Sequence, residues 1–486
     1  MGRASKAAKT IRKNDQLIEL PDGVLSTIIS MLTLKDAVRT SVLSKQWRFI
    51  WICHSDLWFD SANVLGRLVS SNSISESEKK LQTCKFLERV NQFMHQRCKG
   101  TKVDSFALHF CLGKDSAPHI DQWISSAITK GVENIDLDLS ESCIFMADHY
   151  SSTASEGSEE YEFPIRLLAA AGEKSRVKHL QLTSCGLIAP LDSNSLTSLV
   201  TIQLEHVKIG DEQLESLLSA CLFLEGLSLH LCNCLFELNF IAPNLRLKRL
   251  SIHDCFRLQK MELRAKNLAL FEYTGHLILF YFKDVPRLAE AFLNFTTDSR
   301  LDGAAYALTK FVSDVPQLET LNLVSVLAMK VVKLPETVPT TFTNIRELVL
   351  TIFPFDDEDK LCWSNYILKN FPVLYKLQLN LFCANFIKQP KEIGRILHDC
   401  PHNHLTELEI NGFYGNHHEQ VLLKYLLDNL VELKVLAVSP CQKVYKGFNS
   451  WLYEEANLWY KVRMESVCEW LDAVVPPTVR LEVCAV

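Results

Sequence analysis

The sequence predicts an α/β protein: a small three-helix domain at the N-terminus, then a solenoid of strand–helix repeats, then a C-terminal cap. Three observations lead to this prediction. A hexamer of alternating apolar residues recurs twelve times along most of the 486-residue chain. Helical segments such as Asp211–Cys221 and Gln420–Leu427 lie between the hexamers. The N-terminal run Leu20–Trp51 instead carries its apolar residues at helical spacing.

The recurring hexamer has the pattern apolar-x-x-apolar-x-apolar. Its clear copies are Val103–Leu108, Val132–Leu137, Val177–Leu182, Leu199–Leu204, Leu224–Leu229, Leu247–Ile252, Leu268–Tyr273, Leu318–Leu323, Ile345–Leu350, Leu374–Leu379, Leu405–Ile410 and Leu433–Val438. Leu288–Leu293 is a looser thirteenth copy, because Ala291 occupies its middle apolar position. Most copies begin 20 to 31 residues apart, which is close to the period of leucine-rich repeats.

Each hexamer predicts a strand with one buried face, because its apolar residues alternate with polar ones. One unit cannot bury its apolar face alone, so the units are expected to stack into a curved horseshoe. The outward polar residues of the strands are then expected to line its concave face and to bind a target. These residues are Gln181, Gln203, Ser228, Ser251, Glu272, Asn322, Gln378 and Glu409. Their mixed, polar character suits a protein or a polar ligand better than a phosphate-rich one.

The N-terminal run Leu20–Trp51 predicts three short helices. Pro21 suits the start of the first helix, and Thr33 and Ser44 are suitable N-caps for the second and third. Three helices of this length are too few to enclose a full core. Each large apolar side chain left in water forgoes roughly 1.5–3 kcal/mol, so another surface is expected to cover part of this domain.

The same run resembles an F-box of the large plant F-box family. The resemblance rests on Leu20-Pro21, on Lys35–Arg39 and on Ser41–Lys45 followed by Trp47. It implies a domain that binds a Skp-family adaptor, which links F-box proteins to a cullin-based ubiquitin ligase. The residues expected at the adaptor contact are Leu20, Pro21, Leu25, Ile28, Leu32, Leu43 and Trp47. The alternative is a helical subdomain that packs only against its own chain.

The segment Leu405–Pro440 resembles the FBD-type region that many plant F-box/leucine-rich-repeat proteins carry. Gly412-Phe413, Gly415 and the following helix up to Leu427 carry this resemblance. A further amphipathic helix around Trp459–Leu471 is expected to cap the open end of the solenoid. The predicted division is a basic tail (1–14), the F-box (15–60), a linker and helix (61–100), leucine-rich repeats (101–404), FBD-like terminal repeats (405–440) and the cap (441–486).

Composition excludes several classes of function. The net charge of −6 gives no general electrostatic reason to bind nucleic acid. No apolar run approaches the ~18 residues that a membrane span needs. The 16 cysteines are scattered singly among apolar residues, which indicates reduced core thiols rather than a disulfide framework. The sequence therefore predicts a protein of the nucleus and/or cytoplasm that has no nucleic-acid or membrane partner.

No segment predicts a catalytic or cofactor site. The chain has no G-x-S-x-G, phosphate-loop, dinucleotide or H-E-x-x-H motif. His398, Cys400, His402 and His404 resemble a metal site only in composition, and a Cys-Pro turn between repeats explains them better. We therefore predict no catalytic residue, no metal and no cofactor.

The resulting interpretation is a non-enzymatic, substrate-recognition subunit of an SCF-type ubiquitin ligase. Its F-box would bind the adaptor, and its repeats would bind an unknown target protein. Two alternatives stay open: an interaction scaffold outside any ligase, and a small-molecule-responsive receptor of the same architecture.

Overall fold

The protein is described by a computed structural model, which divides into two compact units, residues 1–209 and 210–486. The described residues are 21–32, 36, 39–42, 47, 55–66, 75–96, 102–140, 160–170, 175–188, 196–240, 246–295, 303–325, 344–352, 362–381, 400–448, 450–454 and 458–483. The predicted basic tail (1–14) lies outside them. Each unit is described separately below.

The first unit opens with α1 (Asp22–Ser30) and a 3₁₀ turn at Thr40–Val42. The sequence predicted Pro21 as the first residue of α1. In the structure Pro21 is the N-cap, and the first helical residue is Asp22. Its helices then continue with α2 (Ser61–Leu65), α3 (Glu76–Gln96), α4 (Ala117–Thr129) and α5 (Arg166–Ala170).

A parallel sheet forms the body of the first unit. Its strands are β1 (Asp56–Asp60), β2 (Ser105–His109), β3 (Asn134–Asp138), β5 (His179–Thr183) and β7 (Thr201–Glu205), paired in this order. The short strands β4 (Glu162–Pro164) and β6 (Gly186–Ile188) pair separately. The apolar residues of each hexamer point inward, as Phe106 and Leu108 of β2 do, while the residues between them form the opposite face.

The second unit repeats this arrangement in a longer parallel sheet. Its strands are β8 (Gly226–His230), β10 (Arg249–His253), β12 (Leu270–Gly275), β14 (Glu290–Phe295), β15 (Thr320–Ser325), β16 (Glu347–Ile352), β17 (Lys376–Leu381), β18 (Glu407–Asn411), β19 (Val435–Ser439) and β22 (Arg480–Val483). β14 confirms the loose thirteenth repeat, since Ala291 is fully buried in its middle position.

Two smaller sheets accompany the long sheet of the second unit. β9 (Glu237–Phe240), β11 (Lys260–Arg264) and β13 (Leu279–Asp284) pair in parallel. β20 (Gln442–Gly447) and β21 (Ser450–Glu454) form an antiparallel hairpin. The helices of this unit are α6 (Asp211–Ala220), α7 (Gly303–Tyr306), α8 (Cys362–Asn370), α9 (His417–Asn429) and α10 (Leu458–Val474).

The predicted strands of the repeats are confirmed, and the structure adds detail to two other regions. In the region predicted as a linker and helix (61–100), α3 begins at Glu76, where Ser75 caps its first turn. The region predicted as the cap (441–486) contains the β20–β21 hairpin as well as a helix. In the described part of the chain, no helix is long and apolar enough to span a membrane.

Truncation of inward leucines is expected to destabilise the second unit strongly. Leu227 and Leu350 are at most 1% exposed, so Leu227→Ala and Leu350→Ala should each lower the free energy of unfolding by about 2–5 kcal/mol. Leu279 offers a matched control because it is 61% exposed, and Leu279→Ala should stay within about 0.5 kcal/mol. Thermal unfolding of the three variants measures the difference. Overlapping midpoints would contradict the assigned strand register.

Candidate functional site

The N-terminal helices enclose a small apolar core of their own. Leu25, Ile29 and Trp47 are at most 4% exposed, and Phe93 of α3 packs against the same cluster. Leu25 and Trp47 were predicted at the adaptor contact. Both side chains lie inside this core and not on its surface, and their place at the adaptor contact stays a prediction.

Other apolar residues of this domain lie on its surface. Val24 is 46% exposed, Met31 81% and Val42 86%, and Pro21 is also exposed. Ile28 and Leu32 are partly buried against the core. Leu20 and Leu43 of the predicted contact set lie outside the described residues. The sequence analysis missed Val24, Met31 and Val42 as contact candidates. Helical periodicity marks them as apolar but does not say which face the core uses.

The outward residues of the predicted target site align in rows across the strands. In the first unit, Gln181 of β5 pairs in register with Gln203 of β7. In the second unit the aligned residues, called the outward row below, are Ser228, Ser251, Glu272, Phe292, Asn322, Val349, Gln378 and Glu409. Every predicted residue therefore occupies the same position of its repeat. The register does not test whether any of them binds a target.

The structure contradicts the expectation that the eight residues predicted to bind a target all face solvent. Gln203 is exposed, and Gln181, Ser228 and Glu409 are half-buried. The four remaining residues are at most 5% exposed, namely Ser251, Glu272, Asn322 and Gln378. The β20–β21 hairpin supplies part of this cover, because its side chains contact the row at two places.

The first contact lies at Glu272 of β12. The hydroxyl of Tyr445 and the backbone N–H of Phe448 both donate to Glu272 Oε1, the latter at 2.6 Å. The Tyr445 ring also stacks on Phe292, the next residue of the row, with centroids 4.0 Å apart. Burial disfavours the charged form of Glu272, but hydrogen bonds from His253, Tyr445 and Ser251 outweigh it and lower its pKa.

The second contact lies at Gln378 and Glu409. Lys443 Nζ donates to Gln378 Oε1 at 3.1 Å and to Glu409 Oε1 at 2.9 Å. The Lys443 side chain is only 13% exposed, so this ion pair is largely shielded from solvent. Trp451 and Tyr453 of β21 lie close enough for cation–π contact, with ring centroids 5.4 and 5.5 Å from the Lys443 nitrogen.

A buried amide network links the outward row to the next residues along the strands. Gln378 Nε2 donates to Asn380 Oδ1, and Asn411 Nδ2 donates to both Asn380 Oδ1 and Glu409 Oε1. Asn380 in turn donates to Thr351. The sequence analysis did not single out these residues. A polar residue directly after the last apolar position of a hexamer is the signal that could have found them. The network fixes the orientation of Gln378 and Glu409 toward Lys443.

The outward strand face of the first unit is acidic around His109. Its Nε2 lies 2.8 Å from Asp136 Oδ2, and the Trp58 ring lies 4.6 Å away. Burial opposes protonation of His109, but the hydrogen bond to Asp136 and the charges of Asp136, Asp138 and Asp60 outweigh it and raise its pKa.

His109 is expected to make the stability of the first unit pH-dependent. Its folded pKa exceeds the unfolded value of about 6.5, so its contribution is complete below that pH and is lost as the pH rises through the folded pKa. The variant His109→Gln should not show this loss of stability with rising pH. Thermal midpoints of both proteins between about pH 5.5 and 8 measure it. Parallel profiles would show that the His109–Asp136 pair contributes nothing.

The remaining candidate residues have structural roles. His402 is buried, with Nε2 2.9 Å from the Phe371 carbonyl oxygen and Nδ1 accepting from Leu405 N–H at 3.0 Å, and burial lowers its pKa. Cys400 N–H donates to Asn429 Oδ1 at 2.6 Å, and His398 lies outside the described residues. Burial raises the pKa of Cys221 to about 12, which keeps it a thiol at neutral pH. Within the described ranges, no three His, Cys, Asp or Glu side chains are grouped to hold a metal ion.

Two family models match different parts of the chain. The F-box domain model matches residues 17–55. A leucine-rich-repeat model, described as the At1g61320/AtMIF1 LRR domain, matches residues 94–485 and therefore most of the chain. The hexamers, and the parallel strands from β2 onward, fall within that second match.

Relatives from Arabidopsis thaliana have the same two-part character. The F-box/FBD/LRR-repeat protein At1g13570 is 24% identical over 87% of this chain and 91% of its own length. The F-box/LRR-repeat protein At3g03360 is 26% identical over 75% of this chain and 70% of its own. The F-box protein At3g59000 is 27% identical over 87% and 86%. From its domain matches and its relatives, the chain belongs to the plant F-box/leucine-rich-repeat proteins.

Proposed function

We propose that this chain is the substrate-recognition subunit of an SCF-type ubiquitin ligase. Its F-box binds a Skp-family adaptor, the adaptor connects it to a cullin, and its repeats bind a target protein. The observation that carries the first part is the exposure of three apolar side chains of this domain, those of Val24, Met31 and Val42. These side chains stay exposed although the F-box has a core of its own and packs on Phe93. An exposed apolar set beside a closed core is typical of a docking surface.

The proposed role requires no catalytic group on this chain. Ubiquitin transfer belongs to other subunits of the ligase, and this chain holds the target near them. Such an arrangement accelerates transfer by converting a bimolecular encounter into a reaction within one complex. The assembled protein acts in the nucleus and/or cytoplasm.

The target surface is proposed to be the outward strand face. Its polar members are Gln181, Gln203, Ser228, Ser251, Glu272, Asn322, Gln378 and Glu409. Parallel register supports this assignment, because it sets residues that are far apart in sequence side by side. A few central positions of such a surface are expected to supply most of the binding energy.

Affinity purification under proteasome inhibition tests the ligase assignment. The F-box variant Met31→Asp/Val42→Asp is a better comparison than deletion of the F-box, because deletion would expose Phe93. Recovery of adaptor and cullin with the wild type, and of neither with the variant, supports the proposal. Recovery of adaptor without cullin would instead indicate a scaffold that acts outside any ligase.

A further inference from the structure

The β20–β21 hairpin contacts the proposed target surface through side chains of one face. Lys443 and Tyr445 are two residues apart on a strand, so both point to the same side. Lys443 reaches Gln378 and Glu409, and Tyr445 reaches Glu272. Among the described strands, the hairpin pairs only with itself and not with the long sheet. It therefore docks as a peptide ligand does, by directional side-chain contacts.

The surface beneath the hairpin contains buried polar side chains, which packing alone does not require. Glu272 is fully buried, yet no described residue lies within hydrogen-bond distance of its Oε2 atom, and the nearest basic group, His253 Nε2, is 3.8 Å away. Asn322, which lies between the two docking points along the row, is 5% exposed, and no described residue donates to its Oδ1. Buried acceptors without donors are costly and uncommon in native structures. Their presence indicates a site built to receive donors that the hairpin does not fully supply.

The hairpin itself has little that would hold it in place permanently. A two-stranded hairpin is at best marginally stable on its own. Leu452 and Tyr453 are 50% and 53% exposed, so much of its apolar surface adds nothing to docking. Its attachment depends mainly on Lys443, Tyr445 and Phe448, together with the Arg249 guanidinium 5.4 Å from the Phe448 ring centroid.

We propose that the β20–β21 hairpin is a built-in ligand that occupies the target site and that a target must displace. The proposal rests on the proposed function and names the chemistry of its target. The target presents an extended segment with a lysine or arginine two residues from a tyrosine. The basic side chain takes the place of Lys443 between Gln378 and Glu409, and the tyrosine hydroxyl takes the place of Tyr445 at Glu272.

Tethering explains how a weak hairpin keeps the site closed. A ligand on the same chain acts at an effective concentration in the millimolar range, so modest contacts are enough for occupancy. The apparent affinity of an external segment falls in proportion to the fraction of molecules that are closed. Weakening the hairpin should therefore increase the affinity for an external segment of the same chemistry.

A labelled peptide with the sequence of residues 442–448 (QKVYKGF) is a suitable probe for the full-length chain. The variant Lys443→Ala/Tyr445→Ala should bind it at least tenfold more tightly than the wild type. Lys446→Ala is the matched control, because Lys446 is exposed on the same strand, and it should bind like the wild type. A peptide with alanine in place of its first lysine and its tyrosine (QAVAKGF) should lose binding to the weakened variant.

Two results would overturn the proposal. One is a folded Lys443→Ala/Tyr445→Ala protein that binds the peptide no better than the wild type does. The other comes from amide exchange of the wild type and does not depend on any variant. Hairpin amides should exchange at least tenfold faster than those of β19, and equal protection would make the hairpin a permanent part of the fold. Adaptor capture, measured on the same samples, reports the proposed ligase function separately.

Discussion

Replacing Met31 and Val42 with aspartate is expected to abolish capture of the Skp-family adaptor by the purified chain. Both side chains are more than four-fifths exposed in the free chain, so each is available for burial against a partner. Burying one large apolar side chain contributes about 1.5–3 kcal/mol, and an unpaired carboxylate in its place opposes burial further. Loss of both contacts should weaken binding by about 3–6 kcal/mol, or roughly a hundredfold to ten-thousandfold.

Two controls distinguish loss of the adaptor contact from unfolding of the helical domain. Neither residue belongs to the Leu25–Ile29–Trp47 core, so the helical domain should unfold at the same temperature as in the wild type. Leu279→Asp in the second unit provides a control with an aspartate at another exposed apolar position and should bind the adaptor normally. Titration calorimetry with purified adaptor gives the affinities. Wild-type affinity in the double variant would favour the alternative in which the helices pack only against their own chain.

The repeat strands could be predicted from the sequence because their signal is local. In β8, Leu227 and Leu229 alternate with polar neighbours, and this period of two specifies both the strand and its buried face. The same reasoning found β14, although Ala291 weakens its pattern. Parallel register then follows from stacking equivalent positions of successive repeats, so the alignment of Glu272 with Ser251 needed no long-range information.

The cover over the outward row could not be predicted in the same way. Burial of Glu272 depends on Tyr445, which lies 173 residues away in the sequence. The hairpin did carry a local signal, since runs rich in aromatic and β-branched residues flank Gly447 and Ser450. Nothing local, however, indicates which surface such a hairpin contacts. Polar alternation specifies an outward face, and only the tertiary structure decides whether that face meets water.

The F-box shows the corresponding limit for apolar residues. Periodicity selected Leu25 and Ile28 as well as Val24, because all three belong to apolar positions of α1. The exposed fraction of the side chain distinguishes them: Leu25 is fully buried, Ile28 is partly buried and Val24 is 46% exposed. α1 has nine residues, and it has buried as well as exposed apolar residues. The sequence pattern therefore cannot divide the two roles.

Replacing Gly412 with valine is expected to destabilise the second unit about as strongly as the leucine truncations do. Gly412 has φ = +74°, a left-handed conformation that costs an L-residue about 1–2 kcal/mol and costs a β-branched residue most. A Cβ atom here would also approach the Leu381 backbone oxygen more closely than 3.0 Å. A backbone oxygen in a paired strand cannot move aside, and overpacking of this kind costs about 1–3 kcal/mol or more. The two costs together should lower the free energy of unfolding by about 2–5 kcal/mol.

The substitution Gly131→Val isolates the steric part of this effect. Gly131 has a similar φ of +81°, but the nearest atom to an added Cβ is the flexible side chain of Arg176 at 3.7 Å. It should therefore cost only the backbone term of about 1–2 kcal/mol. Urea unfolding, followed by probes within each unit, compares the two variants. The Gly412 N–H donates to the Cys441 carbonyl just before the hairpin. Gly412→Val should therefore also release Gln442 and Lys443 from the outward row, seen as faster amide exchange in β20. Equal losses of stability in the two variants would show that strand β17 yields to the added side chain.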